Sequence, residues 1–317
     1  MSGRGGSRPG GTRPGEVRPG EARPDGTRPG RFVRVGGVPV HVVVEGAGPP
    51  VVLSAGLAMA WFDWDPVAAL LAARGRTVVR FDRPGHGLSG PAPGPPSAAG
   101  EARAIAGLLD ALGLPGPVTV VGHSIAGFHA EAFARLYPAR TAALVLVDSS
   151  VEEAPRTVLP AALRTGAARA LGRAVSAAGL PAALGPSARR AAVRASRTGG
   201  AGDPAAPDLV RRCYRTGRVW RGALLENSRY LDMAAEVVAL RRGHRHRLSA
   251  PATVLAAYDG SARPRALRWL ARQADLADRI GARFEVAEPA GHLVMLDRPD
   301  QVARAVLAAA GAGQARA

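Results

Sequence analysis

The sequence predicts an α/β protein: a doubly wound, mostly parallel sheet with a helical cap inserted between core strands. Three observations carry this prediction. Short apolar runs alternate with helix-compatible stretches along most of the chain. The alternation stops near Ser149 and resumes at Pro251. One of the apolar runs, Val118–Gly122, leads straight through His123-Ser124-Ile125-Ala126-Gly127 into an Ala-rich helical pattern.

Taken in order, residues 1–31 carry a degenerate five-residue repeat. Arg-Pro-Gly recurs at Arg8, Arg13, Arg18 and Arg28, with Arg-Pro-Asp at Arg23. Regular proline blocks helix and there is almost nothing apolar to bury, so this reads as a disordered tail. From Phe32 a hairpin is predicted, turning at Gly36-Gly37. Pro49–Gly56 reads as a buried parallel strand, Trp64–Gly75 as a helix and Arg76–Asp82 as the next strand. Ser97–Leu114 is an amphipathic helix with Ser97 as its N-cap. The Val118 strand, a helix stopped by Pro138 and the strand Thr141–Asp148 follow. The stretch 151–249 is Ala/Arg-rich and mostly helical, and reads as a cap or lid insertion. The core, 32–150 and 250–312, then closes with a strand at Pro251–Asp259, a helix to Gly281, a strand at Arg283–Glu288 and a last helix, before a short tail at 313–317.

The 317 residues are enough to bury a full core, and 47% hydrophobic against 21% charged residues is the balance of a soluble globular chain. A single cysteine, Cys213, excludes an intrachain disulfide or a thiolate metal cluster and fits a reducing compartment. There is no apolar h-region near Met1 and no run long enough to span a bilayer, so a soluble, cytoplasmic protein without membrane contact is expected. The net charge of +17 is carried entirely by arginine and accompanies a joint enrichment of Ala, Gly and Pro, which reads as compositional bias. No nucleic-acid module signature is present, and aromatic residues make up only 4%, too few for a base-stacking surface. Residues 151–249 hold 18 Arg against 7 acidic residues, so any role for the charge falls on the insertion and on a partly anionic small-molecule substrate beneath it.

Ser124 is the candidate nucleophile. A hydroxyl that attacks a carbonyl must be exposed at the carboxyl edge of the sheet, and a tight strand-to-helix turn exposes it. Such a turn demands small residues two before and two after the Ser, here Gly122 and Ala126. It also puts the Ile125 N–H at a helix N-terminus, where an oxyanion would form. A serine needs a base. Of seven histidines, His292 lies in the loop after the last predicted strand, at the same edge as Ser124. His123 is expected to point away from the site, His86 to be structural, and His244 and His246 to be surface residues.

"VVLSAG", "FDRPGHGLS", "VVGHSIAG", "LVLVDSS" and "AGHLVMLDRPDQV" occur in an order and spacing that resemble the α/β-hydrolase superfamily over roughly residues 32–312. The resemblance implies a Ser-His-Asp triad with Ser124 as nucleophile and His292 as general base, an oxyanion hole from the Leu57 and Ile125 N–H groups, and no metal or organic cofactor. It leaves two candidates for the acid: Asp259, after the strand from Pro251, and Asp148, at the end of the preceding core strand. Two departures stand out. Ala55-Gly56 occupies a place where many members have His-Gly, and the HGGG form of the oxyanion hole is absent.

The implied activity is a serine hydrolase cleaving an ester, amide, thioester or lactone through an acyl-enzyme. The same residues would also serve a cofactor-free perhydrolase or acyltransferase, and the same fold a non-catalytic ligand-binding protein. Trp61, Phe62, Trp64, Trp220 and Tyr214 are candidates for an apolar acyl site or for ordinary packing.

Overall fold

In a computed structural model, residues 30–243 and 248–314 are described. The Arg-Pro-Gly repeat, His244 and His246 lie outside them. Eight strands form one sheet: β1 (Arg31–Val35), β2 (Val38–Glu45), β3 (Pro50–Ser54), β4 (Thr77–Phe81), β5 (Val118–His123), β6 (Thr141–Val147), β7 (Ala252–Ala257) and β8 (Arg283–Ala287). Their order across the sheet is β1-β2-β4-β3-β5-β6-β7-β8. β1 and β2 pair antiparallel around the Gly36-Gly37 turn, β2 pairs antiparallel with β4, and the other neighbours are parallel.

The helices are α1 (Asp65–Ala72), α2 (Ala98–Ala111), α3 (Ala126–Leu136), α4 (Ala161–Ala177), α5 (Leu180–Ser196), α6 (Pro207–Tyr214), α7 (Gly217–Ser228), α8 (Tyr230–Gly243), α9 (Pro264–Ile280), α10 (Val294–Asp297) and α11 (Pro299–Gln314). Ser97 caps α2 as its sequence suggests, its Oγ accepting from the Gly100 N–H at 3.0 Å. Among the described residues no helix is long and apolar enough to cross a membrane.

The inner strands are apolar without alternation because both of their faces are covered. Successive side chains point to opposite sides. Val118, Val120, Leu144, Leu146 and Val254 join one core with Ile105 of α2, Phe128 and Phe133 of α3 and Leu276 of α9. Val121, Val145, Val147 and Leu255 join the other with Leu71 of α1, Val294 of α10 and Val302 and Val306 of α11. Two packed layers hold the sheet rigid, so its carboxyl edge is a fixed platform.

Among the described residues, five helices, α4–α8, lie in the connection between β6 and β7. Met233 and Val237 of α8 are buried in the same core as Phe128 and Ile105, so α8 belongs to the layer beside the sheet. Ion pairing fastens it there. Glu131 of α3 accepts from Arg241 of α8 through both carboxylate oxygens at 2.8 Å, and from Arg135 Nε at 2.9 Å. Burial works against the charge of Glu131, yet these guanidiniums hold its carboxyl below the usual range. The part that overhangs the sheet edge is therefore α4–α7.

Removing Glu131 would take both acceptor oxygens from the buried Arg241, leaving it Glu153, and would remove an acceptor from Arg135. Glu131→Ala is expected to lower the unfolding free energy by about 3–5 kcal/mol, read from urea unfolding curves. The isosteric Glu131→Gln, which keeps one acceptor oxygen, is expected to cost less.

Candidate active site

β5 ends at His123, and Ser124 follows with φ at 55°, a left-handed conformation that non-glycine residues rarely adopt. The turn is over-determined by its surroundings. The Ser124 N–H donates to the Val147 carbonyl at 3.2 Å, and the Ser124 carbonyl accepts from Gly127 and Ser150 at 2.9 and 3.0 Å. A Cβ at Gly122 would lie 2.3 Å from the Ala126 carbonyl oxygen, and one at Gly127 would lie 1.9 Å from Ser149 Oγ. Ala126 itself is fully buried, so its methyl is accommodated. The close approaches of this elbow thus fall on Gly122 and Gly127.

Two loops from the carboxyl edge complete the site at Ser124. His292, between β8 and α10, places Nε2 3.0 Å from Ser124 Oγ. Its Nδ1 lies 2.6 Å from Asp148 Oδ2, at the end of β6. Asp148 is 2% exposed, and its other oxygen accepts from the Ala257 N–H at 3.0 Å and Trp269 Nε1 at 2.7 Å. The carboxylate at the imidazole is therefore Asp148, not Asp259, the position expected first. Asp259 lies on the exposed surface, where its Oδ1 accepts from the Ser261 N–H at 2.9 Å and Ser261 Oγ at 2.7 Å. Those bonds hold its carboxyl below the usual range and close a local turn.

His123 does not point away from the site as expected. Its Nε2 donates to the carbonyl of His292 at 2.8 Å, and the two rings lie 4.7 Å apart. Burial, with the neighbouring His292 adding to it, pushes the His123 imidazole well below its usual range, so it stays neutral and keeps its Nε2–H for that bond. It fixes the backbone of His292 while Asp148 fixes the ring.

The convergence opens into a cavity of about 560 Å³ between the sheet edge and the overhanging helices. Leu57 lines it beside Ser124, with Ala192 and Val193 of α5 and Val219, Trp220 and Leu224 of α7 opposite. Among the described residues, the Leu57 and Ile125 N–H groups donate no backbone hydrogen bond there. Of the five aromatic candidates, Trp220 and Tyr214 line the cavity. Trp61 and Phe62 pack with Leu209, Val210 and Val219 where cap meets core, and Trp64 is buried under α1. One arginine, Arg189, lines the cavity. It is held by Asp63 and by Asp203, the latter at 2.9 Å from its Nε, and its NH1 donates to Tyr214 Oη at 2.8 Å. Burial opposes its charge, and the Asp63 carboxylate, Tyr214 and Asp203 together more than compensate, keeping the guanidinium protonated. The arginine that lines the cavity among the described residues is thus already matched by two carboxylates.

A family model described as the alpha/beta hydrolase family matches residues 34–305. The chain belongs to that family. Among curated proteins it is similar to one of Azorhizobium caulinodans provisionally named carbamate hydrolase RutD, 36% identical over 113 residues. That match covers 36% of this chain and 42% of the relative. It is also 37% identical over 112 residues to 2-hydroxy-6-oxononadienedioate/2-hydroxy-6-oxononatrienedioate hydrolase 1 of Dechloromonas aromatica, over 35% of this chain and 36% of that protein. The chain thus spans well under half the length of these curated relatives. Among solved structures it resembles a thermophilic esterase from Thermogutta terrifontis, with a TM-score of 0.64 and 23% identity over 88% of this chain and 97% of that one, a likeness of fold.

As an alpha/beta hydrolase, the chain tolerates Ala126 where its elbow is compared with the all-glycine form. Ala126→Gly is expected to cost about 0.5–1 kcal/mol of stability from helix propensity alone. Gly122→Ala, whose methyl has no room against the Ala126 carbonyl, is expected to lower the melting temperature far more. Thermal denaturation of the two variants side by side makes the comparison.

Proposed function

We propose that the protein is a serine hydrolase acting on an uncharged ester, thioester, amide or lactone with an apolar acyl part. The observation that carries this reading is the continuous hydrogen-bonded chain Ser124–His292–Asp148 opening into a largely apolar cavity. In this reading His292 Nε2 takes the Ser124 proton as Oγ forms a bond to the substrate carbonyl carbon, and Asp148 stabilises the imidazolium at Nδ1. The oxyanion is met by the N–H groups of Leu57 and Ile125. Collapse breaks the bond to the leaving group, which receives the proton from His292. Water, deprotonated by the same imidazole, then releases the acid and restores Ser124. The relatives named as hydrolases agree with such an activity.

The cavity volume is in the range of ordinary small-molecule sites. Arg189 is matched by two carboxylates, so a charged acyl group would be buried without a counter-ion. Neutral p-nitrophenyl esters of medium chain length are expected to be cleaved, and the hemisuccinate ester turned over at least tenfold less well. Equal or better turnover of the anionic ester would remove the neutral-substrate part of the proposal.

A fluorophosphonate probe is expected to label the wild type and not Ser124→Ala; a folded wild type that resists labelling would sink the hydrolase reading. Asp148→Asn is expected to reduce kcat by about 10⁴-fold, the scale found when a triad acid is neutralised. Asp259→Asn is expected to leave it within about twofold of wild type, since a fully exposed carboxylate far from the imidazole contributes little. Steady-state kinetics on the two variants separates the candidates.

A further inference from the structure

The loop that carries Leu57 is gripped from the cap. The Gly56 carbonyl and the Leu57 N–H belong to one peptide unit, and in a trans peptide they point in opposite directions. Whatever holds the carbonyl therefore aims the N–H. Arg83, in the loop after β4, donates from NH2 to the Gly56 carbonyl at 2.9 Å, which also accepts from the Met59 N–H at 3.2 Å. On the other side of Leu57, Tyr214 at the end of α6 donates its hydroxyl proton to the Ala58 carbonyl at 2.8 Å. Ala58 has φ at 56°, so the loop is bent into a form it would not keep unaided.

Arg83 is itself held by the cap. Glu226 of α7, with no exposed surface, accepts from NH1 of Arg83 through Oε1 and from its NH2 through Oε2 at 3.1 Å. His86 Nε2 lies 3.2 Å from Glu226 Oε2, His129 Nε2 lies 3.8 Å from its Oε1, and Glu101 is buried in the same group. Burial raises the cost of every charge in this cluster. Even so, Arg83 and His86 pull the Glu226 carboxyl below its usual range, and burial with the Arg83 charge pushes His129 down to about 3. The ion pair at the centre is charged, and the His129 imidazole beside it stays neutral.

We propose that Glu226 and Tyr214, both supplied by the cap, are positioning residues for the oxyanion hole: Glu226 clamps Arg83 against the Gly56 carbonyl, Tyr214 holds the Ala58 carbonyl, and together they orient the Leu57 N–H. A cationic donor on that carbonyl also polarises the peptide and strengthens its N–H as a donor. The proposal rests on the hydrolase reading above and on Leu57 as an oxyanion donor. It makes the cap part of the catalytic geometry as well as the wall of the cavity.

A misaimed donor weakens stabilisation of the tetrahedral intermediate and leaves ground-state binding intact. The test compares wild type, Glu226→Gln and Tyr214→Phe for kcat and KM on a neutral p-nitrophenyl ester. Inhibition by an aryl trifluoromethyl ketone, which forms an oxyanion on Ser124, is measured alongside. Each variant is expected to lose roughly ten- to hundred-fold in kcat, less than the 10²–10³-fold of deleting a donor outright. KM stays within about twofold, and the ketone affinity falls in proportion to kcat. A folded variant with wild-type kcat, or one whose loss lies in KM with ketone affinity unchanged, overturns the proposal. Should Glu226→Gln fail to fold, Tyr214→Phe decides alone, because it deletes one oxygen and keeps the ring against Arg189. Wild-type protein that takes no fluorophosphonate label overturns the hydrolase reading itself, an outcome distinct from a labelled enzyme whose variants are unaffected.

Discussion

The carboxylate of Asp148 is the point on which the edge of the sheet depends. It leaves β6 with φ at 39° and gathers three donors from three other parts of the chain: the Ala257 N–H at the end of β7, the Trp269 indole of α9 and the His292 imidazole. A buried carboxylate is costly unless its lone pairs are met. Here the cost is met only when the last two strands, α9 and the loop after β8 are all in place. The same satisfaction that makes the charge tolerable fixes the ring of His292 at Ser124. Stability of the edge and geometry of the site are a single condition.

The cap follows the same logic with opposite charges. Its helices bring Glu226 to Arg83, and Arg189 to Asp63 on the core side, while an apolar cluster of Trp61, Phe62, Leu209, Val210 and Val219 seals the space between. All these cations are arginines, in a chain without lysine. The planar guanidinium can bond two acceptors at once, as Arg83 does with Gly56 and Glu226, and it does not lose its proton when buried. An arginine excess that reads in the sequence as compositional bias is, at these positions, structural.

How much of this was legible in the sequence can be argued residue by residue. The sheet, the Gly36-Gly37 hairpin, the Ser97 cap and the placement of Ser124 and His292 at one edge follow from local signals: apolar runs, turn glycines, and the rule that loops after parallel strands share an edge. Asp148 and Asp259 could not be separated that way. Both follow a core strand directly, and what distinguishes them is Trp269, more than a hundred residues from Asp148, against the adjacent Ser261. His123 was misread because a residue beside the nucleophile gives no hint of a backbone carbonyl far downstream. Arg83, in a loop, and Glu226, in a helix, carry no local mark of each other, and Tyr214 reads only as a candidate for the acyl site or for packing. A charged residue looks like surface until the partner it is buried with is known.

The shared charges between cap and core bear on how a substrate gets in. Lifting α4–α7 off the sheet would expose Trp61, Phe62 and Val219 to water and separate Glu226 from Arg83 and Arg189 from Asp63 in the same movement. Such a hinge is opposed at every contact. α5 and α7 wall the cavity with residues such as Val193, Trp220 and Leu224. A molecule in this cavity is met by walls that the same ion pairs tie to the sheet.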